Sequence, residues 1–207
     1  MNKKQNILVI GASGALGSAI VKALNAREHE VIEASHSKSK YSVDTSDSNS
    51  ITKLFEEVTK KYERLDAVII AAGSAPFGDF QNSSYDDMYA AINGKGISQL
   101  DVVRIGQKYV AETGSFTLIT GILTDVPLQN SSFAAAANGM VKAFVNTAAA
   151  NISQRINVVS PNVLTESMDK YADTFTGFIP VNAAEAAQYY VRSVEGIETG
   201  KCFNVGY

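Results

Sequence analysis

The sequence has few of the features that mark secreted, membrane-bound or metal-binding proteins. Its one cysteine, Cys202, cannot form an internal disulfide, and we expect a small buried residue in the last strand rather than a reactive thiol. No apolar run approaches the roughly 20 residues of a membrane helix. The apolar stretch Ile7–Ile10 is also too short for the core of a secretion signal. These absences predict a soluble, cytoplasmic protein, with no metal site.

Charge is also scarce. Charged residues make up 19% of the chain, the net charge is −3 and there is no long basic run, so a nucleic-acid partner has no electrostatic support. Of the two histidines, His29 is expected at the surface ahead of the second strand. The 45% of hydrophobic residues supply a core, and 207 residues favour one domain, which we assign to residues 1–207.

Short apolar runs alternate along the chain with longer helical patterns. The predicted strands are Ile7–Ile10, Glu30–Ala34, Ala67–Ala71, Ser115–Thr120, Arg155–Val159 and Cys202–Val205. The predicted helices are Ala15–Asn25, Ser48–Tyr62, Tyr85–Ala111, Ser132–Asn151 and Ala183–Val194. This alternation predicts an α/β fold with a doubly wound parallel sheet of the Rossmann type. Ligands of such sheets bind beyond the carboxyl ends of the strands, which directs attention to the segments that follow them.

The strongest motif follows the first predicted strand. Gly11, Gly14 and Gly17 end that strand and open a helix, so backbone N–H groups can approach a pyrophosphate closely. The helix N-terminus adds unpaired donors and a favourable dipole. The motif predicts a dinucleotide site; the alternative is a purely structural turn. The remaining residues predicted to contact the cofactor here are Ser13, Ala15 and Leu16.

The loop after the second strand indicates which dinucleotide is bound. An NAD-type site places an acid here against the ribose hydroxyls. The chain instead has Ser35, His36, Ser37 and Lys38, while Glu33 lies earlier, inside the strand. Hydroxyls and bases suit a 2′-phosphate, so NADP(H) is predicted over NAD(H). The alternative is that His36 and Lys38 are solvated loop residues without a ligand.

With further segments included, the chain resembles the short-chain dehydrogenase/reductase family over nearly its whole length. Asp44 matches the acid that contacts the adenine amino group in the family, and Asn93 matches its active-site asparagine. Pro161 and Val163 lie in the stretch that the family packs against the nicotinamide and its carboxamide. The segment that resembles the family's Asn-Asn-Ala-Gly element consists of Ala71, Ala72 and Gly73. The resemblance implies a nicotinamide cofactor and hydride-transfer chemistry.

The departures from the family concern that chemistry. The family's serine aligns with Gly121, and its Tyr-x-x-x-Lys pair aligns with Phe133 and Ala137. None of the nine tyrosines has a lysine four residues later, so no shift of register restores the pair. A positioned proton donor contributes about 10²–10⁴ to a rate, and phenylalanine has no proton to give. The remaining catalytic candidates are Asn93 and Thr120, with Lys95 as a third and less favoured one. Alternatively, the Thr120 hydroxyl bonds only to local backbone.

Other polar residues of the central helices are expected to be unremarkable. Lys95 is predicted to be a surface lysine, and Asn138 and Asn146 are predicted to have no role at the site.

The segment Leu164–Ile179 is the only candidate lid. The small residues of helix Ser132–Asn151, together with the family resemblance, imply a homodimer or homotetramer.

Three functions remain open from the sequence. The favoured one is an NADP(H)-dependent oxidoreductase that acts on an unknown carbonyl or alcohol with non-standard catalytic residues. The second is a catalytically silent NADP(H)-binding sensor or regulatory protein. The third is a structural module that has also lost its cofactor, against which the intact glycine loop and Asp44 argue.

Overall fold

The computed structural model describes residues 4–73 and 75–207. Seven parallel strands form one sheet in the order β3-β2-β1-β4-β5-β6-β7. The strands are β1 (Asn6–Ile10), β2 (Glu30–Ser35), β3 (Tyr41–Ser42), β4 (Leu65–Ile70), β5 (Val110–Ile119), β6 (Arg155–Pro161) and β7 (Cys202–Val205). The predicted α/β fold with a doubly wound parallel sheet is confirmed.

Helices cover both faces of this sheet. They are α1 (Ala15–Asn25), α2 (Ser48–Tyr62), α3 (Tyr85–Ile92), α4 (Ser98–Gly106), α5 (Ser132–Ala148), α6 (Met168–Tyr171) and α7 (Ala183–Glu195). On one face α1 packs against α7, where Ile20, Leu24 and Tyr190 are fully buried over β1 and β4. On the other face α2, α4 and α5 bury Phe55 and Phe116. The central strands β1 and β4 are therefore covered on both sides, which explains their nearly continuous apolar sequences.

The strand order places a crevice between β1 and β4. From β1 the chain winds outward to β2 and β3, and from β4 it winds the other way to β7. The loops after β1 and β4 therefore diverge at the carboxyl edge of the sheet, where open α/β sheets bind ligands. Gly11 and Ala71 lie side by side at this point, because Ala71 N donates to Ile10 O at 2.8 Å.

The predicted helix Tyr85–Ala111 is wrong in two respects. It is interrupted by a π-helical turn, Asn93–Ile97, between α3 and α4. It also ends at Gly106, where a Cβ would lie 2.6 Å from Phe55 Cζ, and β5 begins at Val110. The turn contains two glycines, and a Cβ on Gly96 would lie 2.8 Å from Met140 Sδ of α5. Close packing on α5 therefore accompanies the change of helical pitch, a type of irregularity that is frequent at functional sites.

Two single-residue predictions are also wrong. Cys202 is exposed, because β7 is an edge strand and this position faces outward. His29 is buried, with its Nε2 3.0 Å from Glu195 Oε1 of α7 and its Nδ1 accepting from Gln5 N. Residue propensities do not predict the burial of either side chain, because that burial depends on which element packs beside it.

Candidate functional site

The glycine loop joins β1 to α1 at the crevice. Gly11 has φ +88°, and a Cβ there would lie 2.8 Å from Ala71 C. A Cβ on Gly17 would lie 2.0 Å from Gly11 O, so helix and loop touch at this residue. A Cβ on Gly14 would meet only Gly11 O, at 3.5 Å. Two of the glycines are thus required by packing, whereas the third keeps the space in front of the helix open.

That open space lies at the N-terminus of α1. Gly14 is the N-cap, and no side chain among the described residues caps the helix. Ser13, Gly14 and Ala15 are exposed, whereas Leu16 is buried, so Leu16 offers a ligand only its backbone. The first N–H groups of a helix point at whatever stands there and favour an anion. The loop therefore fits a pyrophosphate group.

Beside the loop, an outer cavity of about 110 Å³ opens at the ends of β1, β2 and β3. Its wall includes several of the residues predicted to bind the cofactor. They are Gly11, Ser35, His36, Asp44 and Ala72, together with Ile10, Val43 and Thr45. Ser46 donates to Asp44 Oδ1 from its backbone at 2.9 Å and from its hydroxyl at 2.6 Å, which lowers the pKa of that carboxyl. An ionised acceptor is thus held where an adenine amino group would bind.

The end of β2 carries the groups predicted to bind a 2′-phosphate. Ser35 is buried, and its Oγ accepts from Lys38 N at 3.0 Å. This short turn leaves His36, Ser37 and Lys38 exposed, with His36 in the wall of the outer cavity. No acid stands among these loop residues, and Glu33 is exposed on the strand before them. The arrangement fits a ribose that carries an anionic group.

An inner cavity of about 220 Å³ lies farther along the same edge of the sheet. Loops after β4, β5 and β6 form its base, and α5 and the π-helical turn form one wall. Its lining residues are Gly73, Ala75, Phe77, Lys95, Thr120, Gly121, Ile122, Leu123, Ala134, Asn138, Pro161, Asn162, Val163, Leu164, Ser167, Tyr171 and Phe175. Gly73, Thr120, Pro161 and Val163, predicted separately from the sequence, meet here.

Thr120 and Asn138 form a polar corner of the inner cavity. The Thr120 hydroxyl donates to Asn138 O at 3.1 Å, so its proton is engaged by backbone while its oxygen can still accept. Asn138 is almost fully buried, and its Oδ1 has no hydrogen-bond partner among the described residues. A Cβ on Gly121 would lie 3.6 Å from Asn138 Nδ2. The prediction that Asn138 has no place at the site is therefore wrong; its amide stands beside the position of the missing serine.

Lys95 also lines the inner cavity, and the prediction of a surface lysine is wrong. The π-helical turn brings it round to the wall that α5 completes, and its stem passes the β4 loop. A Cβ on Gly73 would lie 3.3 Å from Lys95 Cα and 3.4 Å from Lys95 Cγ. Burial lowers the pKa of the Lys95 ammonium to about 8. No carboxylate stands among the described residues of the cavity wall.

The other predicted catalytic positions lie outside that wall. Asn93 begins the π-helical turn, where its backbone carbonyl accepts from Ser98 N; its partly buried side chain is not among the described lining residues. Phe133 packs on Phe80, with ring centroids 5.7 Å apart, and lines a separate cleft. Ala137 is fully buried, facing Gly96 of the π-helical turn. The place of the family's Tyr-x-x-x-Lys pair is thus filled by packing.

The segment after β6 forms the roof of the inner cavity. Val163 N donates to Asn162 Oδ1 at 2.7 Å, so this amide is already paired within the chain. The candidate lid then folds back, and Tyr171 and Phe175 reach the cavity from it. Both rings pack on Phe77, with centroids 6.1 and 6.4 Å away. The roof is therefore aromatic, and it joins the β4 loop to the segment after β6.

The described residues contain neither a candidate metal site nor a helix able to span a membrane. In residues 4–73 and 75–207, no cluster of three or more His, Cys, Asp or Glu side chains is arranged to bind a metal ion. Over the same residues, no helix combines the length and apolarity that crossing a membrane requires.

Comparisons with known proteins agree on the family. Residues 11–201 match the family model described as enoyl-(acyl carrier protein) reductase. The protein lin1944 from Listeria innocua is similar in structure, with 40% identity, a TM-score of 0.92, and coverage of 97% of this chain and 99% of that one. A small-chain dehydrogenase in complex with NADPH has the same fold at 23% identity, with a TM-score of 0.86 and coverage of 98% and 97%. An uncharacterised oxidoreductase of Methylorubrum extorquens is 24% identical over 182 residues, covering 77% of this chain and 73% of that one.

The family match spans most of the chain, and the glycine loop, the outer cavity and the inner cavity lie within it. The chain therefore belongs to the short-chain dehydrogenase/reductase family of oxidoreductases.

Proposed function

We propose that this protein is an NADP(H)-dependent oxidoreductase that interconverts a small carbonyl compound and its alcohol with non-standard catalytic residues. One observation carries the proposal: the open glycine loop lies between an outer cavity with Asp44 and an inner cavity with Thr120, along one edge of the sheet. A dinucleotide in this crevice has its phosphates on α1, its adenosine in the outer cavity and its nicotinamide in the inner one. The nicotinamide supplies the hydride chemistry of the reaction.

The preference for NADP(H) rests on the loop after β2. His36, Ser37 and Lys38 are exposed, His36 lines the outer cavity, and the loop has no acid to repel a 2′-phosphate. The related fold that contains NADPH adds support at the level of fold. Asn93 and Thr120 are proposed to orient substrate or water. Neither side chain ionises near neutral pH, so neither accounts for the proton that a reduction consumes.

Titration of NADPH and NADH by calorimetry, followed by a screen of aldehydes, ketones and quinones for NADPH oxidation, tests the proposal. We expect NADPH to bind at least about tenfold more tightly than NADH, a difference of about 1.4 kcal/mol. Ser37→Asp places a carboxylate next to His36, which lines the outer cavity, and is expected to abolish that preference by charge repulsion. Ser153→Asp, at an exposed loop position before β6 and so at the opposite edge of the sheet, is the matched control.

Two results contradict parts of the proposal. Equal affinity for the two cofactors removes the 2′-phosphate argument. Tight NADPH binding without turnover of any compound in the panel favours the alternative function, a catalytically silent nucleotide-binding protein, which is based on Phe133 and Ala137.

We also propose that the protein is a cytoplasmic homodimer or homotetramer. An apolar hollow between α4 and α5 is formed by Val103, Phe144, Ala148 and Ile152. Aromatic side chains at the start of α3 add to the exposed apolar surface, with Tyr85 71% and Tyr89 51% exposed. Exposed apolar patches of this kind are typical of association faces. Light scattering that reports a monodisperse monomer at micromolar concentration contradicts the assembly.

A further inference from the structure

The inner cavity has no tyrosine at the expected place, yet it holds one group able to give up a proton near neutral pH. The lining groups with polar side chains are Lys95, Thr120, Asn138, Asn162, Ser167 and Tyr171. Thr120 already donates to backbone, and Asn162 is paired with Val163 N and with two backbone carbonyls. Asn138 Oδ1 is buried without a partner among the described residues. The cavity thus contains a free ammonium and an unsatisfied amide, and no carboxylate among the described residues neutralises that ammonium.

We propose that Lys95 is the proton donor of the reduction, and that Asn138 Nδ2 donates a hydrogen bond to the substrate oxygen beside Gly121. This inference rests on the proposed function. The new C–H bond forms with a hydride supplied by the reduced nicotinamide, while the C=O electron pair moves to oxygen. A proton then passes from Lys95 Nζ to that oxygen. The products are an alcohol, an oxidised nicotinamide and a neutral lysine amine, which regains its proton from water.

The geometry explains the positions of Lys95 and Asn138. The π-helical turn rotates Lys95 onto the cavity wall, and Gly73 and Gly96 leave room for the turn to pack against the β4 loop and α5. Asn138 stands where a Gly121 side chain would point, so its amide takes the space of a hydroxyl there. A hydrogen-bond donor directed at a developing oxyanion contributes about 10²–10³ to a rate. The chain therefore has a proton donor, Lys95, and a hydrogen-bond donor to the substrate oxygen, Asn138, in place of the family's Tyr and Ser.

The same walls define a class of substrate. Phe77, Tyr171 and Phe175 form an aromatic side, and Ile122 and Leu123 add apolar surface. The whole inner cavity measures about 220 Å³ and must also admit the nicotinamide. These properties fit a small ketone or aldehyde with an apolar or aromatic substituent.

A donor with a pKa of about 8 makes the direction of pH dependence specific. The ammonium is protonated below that pH, so reduction is expected at full rate there and is lost as the pH rises through about 8. Oxidation of the alcohol needs the neutral amine and shows the opposite trend. On the helices that contact the π-helical turn, Asp86 of α3 is exposed and the other charged groups are paired within the chain; Tyr171 is the other titratable group among the described residues of the cavity wall. These pairs are Asp87 with Ser84 on α3, Asp101 with Arg104 on α4, and Lys142 on α5 with Asp125.

The test compares Lys95→Met with Lys108→Met, an exposed lysine before β5, in NADPH oxidation with the carbonyl panel. Lys95→Met is expected to lower kcat by about 10²–10⁴ and to remove the decline of rate above pH 8, whereas NADPH affinity stays within about threefold. Lys108→Met is expected to behave like the wild type. Asn138→Leu is expected to lower kcat by about 10²–10³ and to keep the pH profile.

A second readout does not depend on turnover. Competitive acetylation with acetic anhydride, followed by mass spectrometry between about pH 6 and about pH 11, reports the titration of each lysine. Lys95 is expected to reach half reactivity near pH 8.

The failures are distinguishable. If the wild type reduces no carbonyl of the panel, the proposed function is wrong and this inference with it. If the wild type turns over and Lys95→Met keeps its kcat and pH profile, or loses only NADPH affinity, the donor assignment alone is wrong. Half reactivity of Lys95 near the ordinary lysine value of about pH 10.4 also overturns the assignment.

Discussion

Gly14 and Gly17 provide a test of the division of labour in the glycine loop. The two residues are one helical turn apart, and the same change to alanine meets different surroundings. At Gly17 the new Cβ would lie 2.0 Å from Gly11 O and 2.9 Å from Ala12 Cα, all of it backbone. At Gly14 the new Cβ would be 3.5 Å from Gly11 O, an ordinary contact, and its φ of −77° suits alanine.

The magnitudes follow from these distances. Gly17→Ala forces the loop and α1 apart, and overpacking of this kind costs about 1–3 kcal/mol of unfolding free energy. Gly14→Ala changes only the N-cap, at a cost of about 1 kcal/mol or less. Its methyl group, however, stands in front of the uncapped N–H groups of α1. The loss of one charge-assisted hydrogen bond to a phosphate, about 1.5–3 kcal/mol, weakens NADPH binding about 10- to 100-fold.

Urea unfolding followed by circular dichroism measures the first quantity, and calorimetric titration with NADPH measures the second. The expected pattern is a crossover: Gly17→Ala loses stability, whereas Gly14→Ala keeps stability and loses cofactor affinity. Wild-type affinity in Gly14→Ala would refute the assignment of the phosphates to this helix end. Wild-type stability in Gly17→Ala would refute the packing argument.

Three further variants test the rest of the structure. Lys95→Met is expected to raise the free energy of unfolding at pH 7 by at most about 3 kcal/mol, because a pKa lowered from 10.5 to about 8 costs about 1.36 kcal/mol per unit. This gain in stability over the wild type is full below pH 8 and decreases as the pH rises towards 10.5, because between these values the unfolded lysine is protonated and the folded one is neutral. Urea unfolding at several pH values measures the difference in stability, and a difference that does not change with pH contradicts the argument. Asn157→Ala removes three hydrogen bonds from a fully buried side chain, so a loss of about 2–4 kcal/mol is expected in the same assay, and a loss below 1 kcal/mol would show that the network is dispensable. Glu195→Ala leaves the buried His29 Nε2 without its carboxylate and is expected to cost about 1–3 kcal/mol, measured as a lower Tm, whereas an unchanged Tm refutes the role of this contact between α7 and the start of β2.

The cofactor half of the site is accessible from sequence because it is local. Gly11, Gly14 and Gly17 are close in the chain, and a strand before them and a helix after them suffice to predict what they do. Asp44 and Ser35 needed only the family resemblance and the position of a loop. The structure brings Gly11, Ser35 and Asp44 to one cavity because parallel strands end at a common edge.

The proton donor is a different case. Lys95 lies two residues after Asn93 in a pattern that predicts an ordinary α-helix, and on such a helix it turns away from the site. The signal that was available is the pair Gly94 and Gly96, which weakens an α-helix and permits the π-helical turn. Asn138 gave no signal, because its role depends on the empty space at Gly121, seventeen residues earlier in the chain.

The parallel α/β fold and the glycine loop are predictable from sequence because each is encoded in a short stretch of chain or in its periodicity, and the absence of any Tyr-x-x-x-Lys pair is read directly from the residues. Tertiary structure alone decided that Lys95 and Asn138 face one cavity, that His29 is buried against Glu195 and that Cys202 is exposed on an edge strand. The physical reason is common to these cases. Burial and pKa depend on which distant element packs beside a side chain, and a change of helical pitch redirects a residue without changing its place in the sequence.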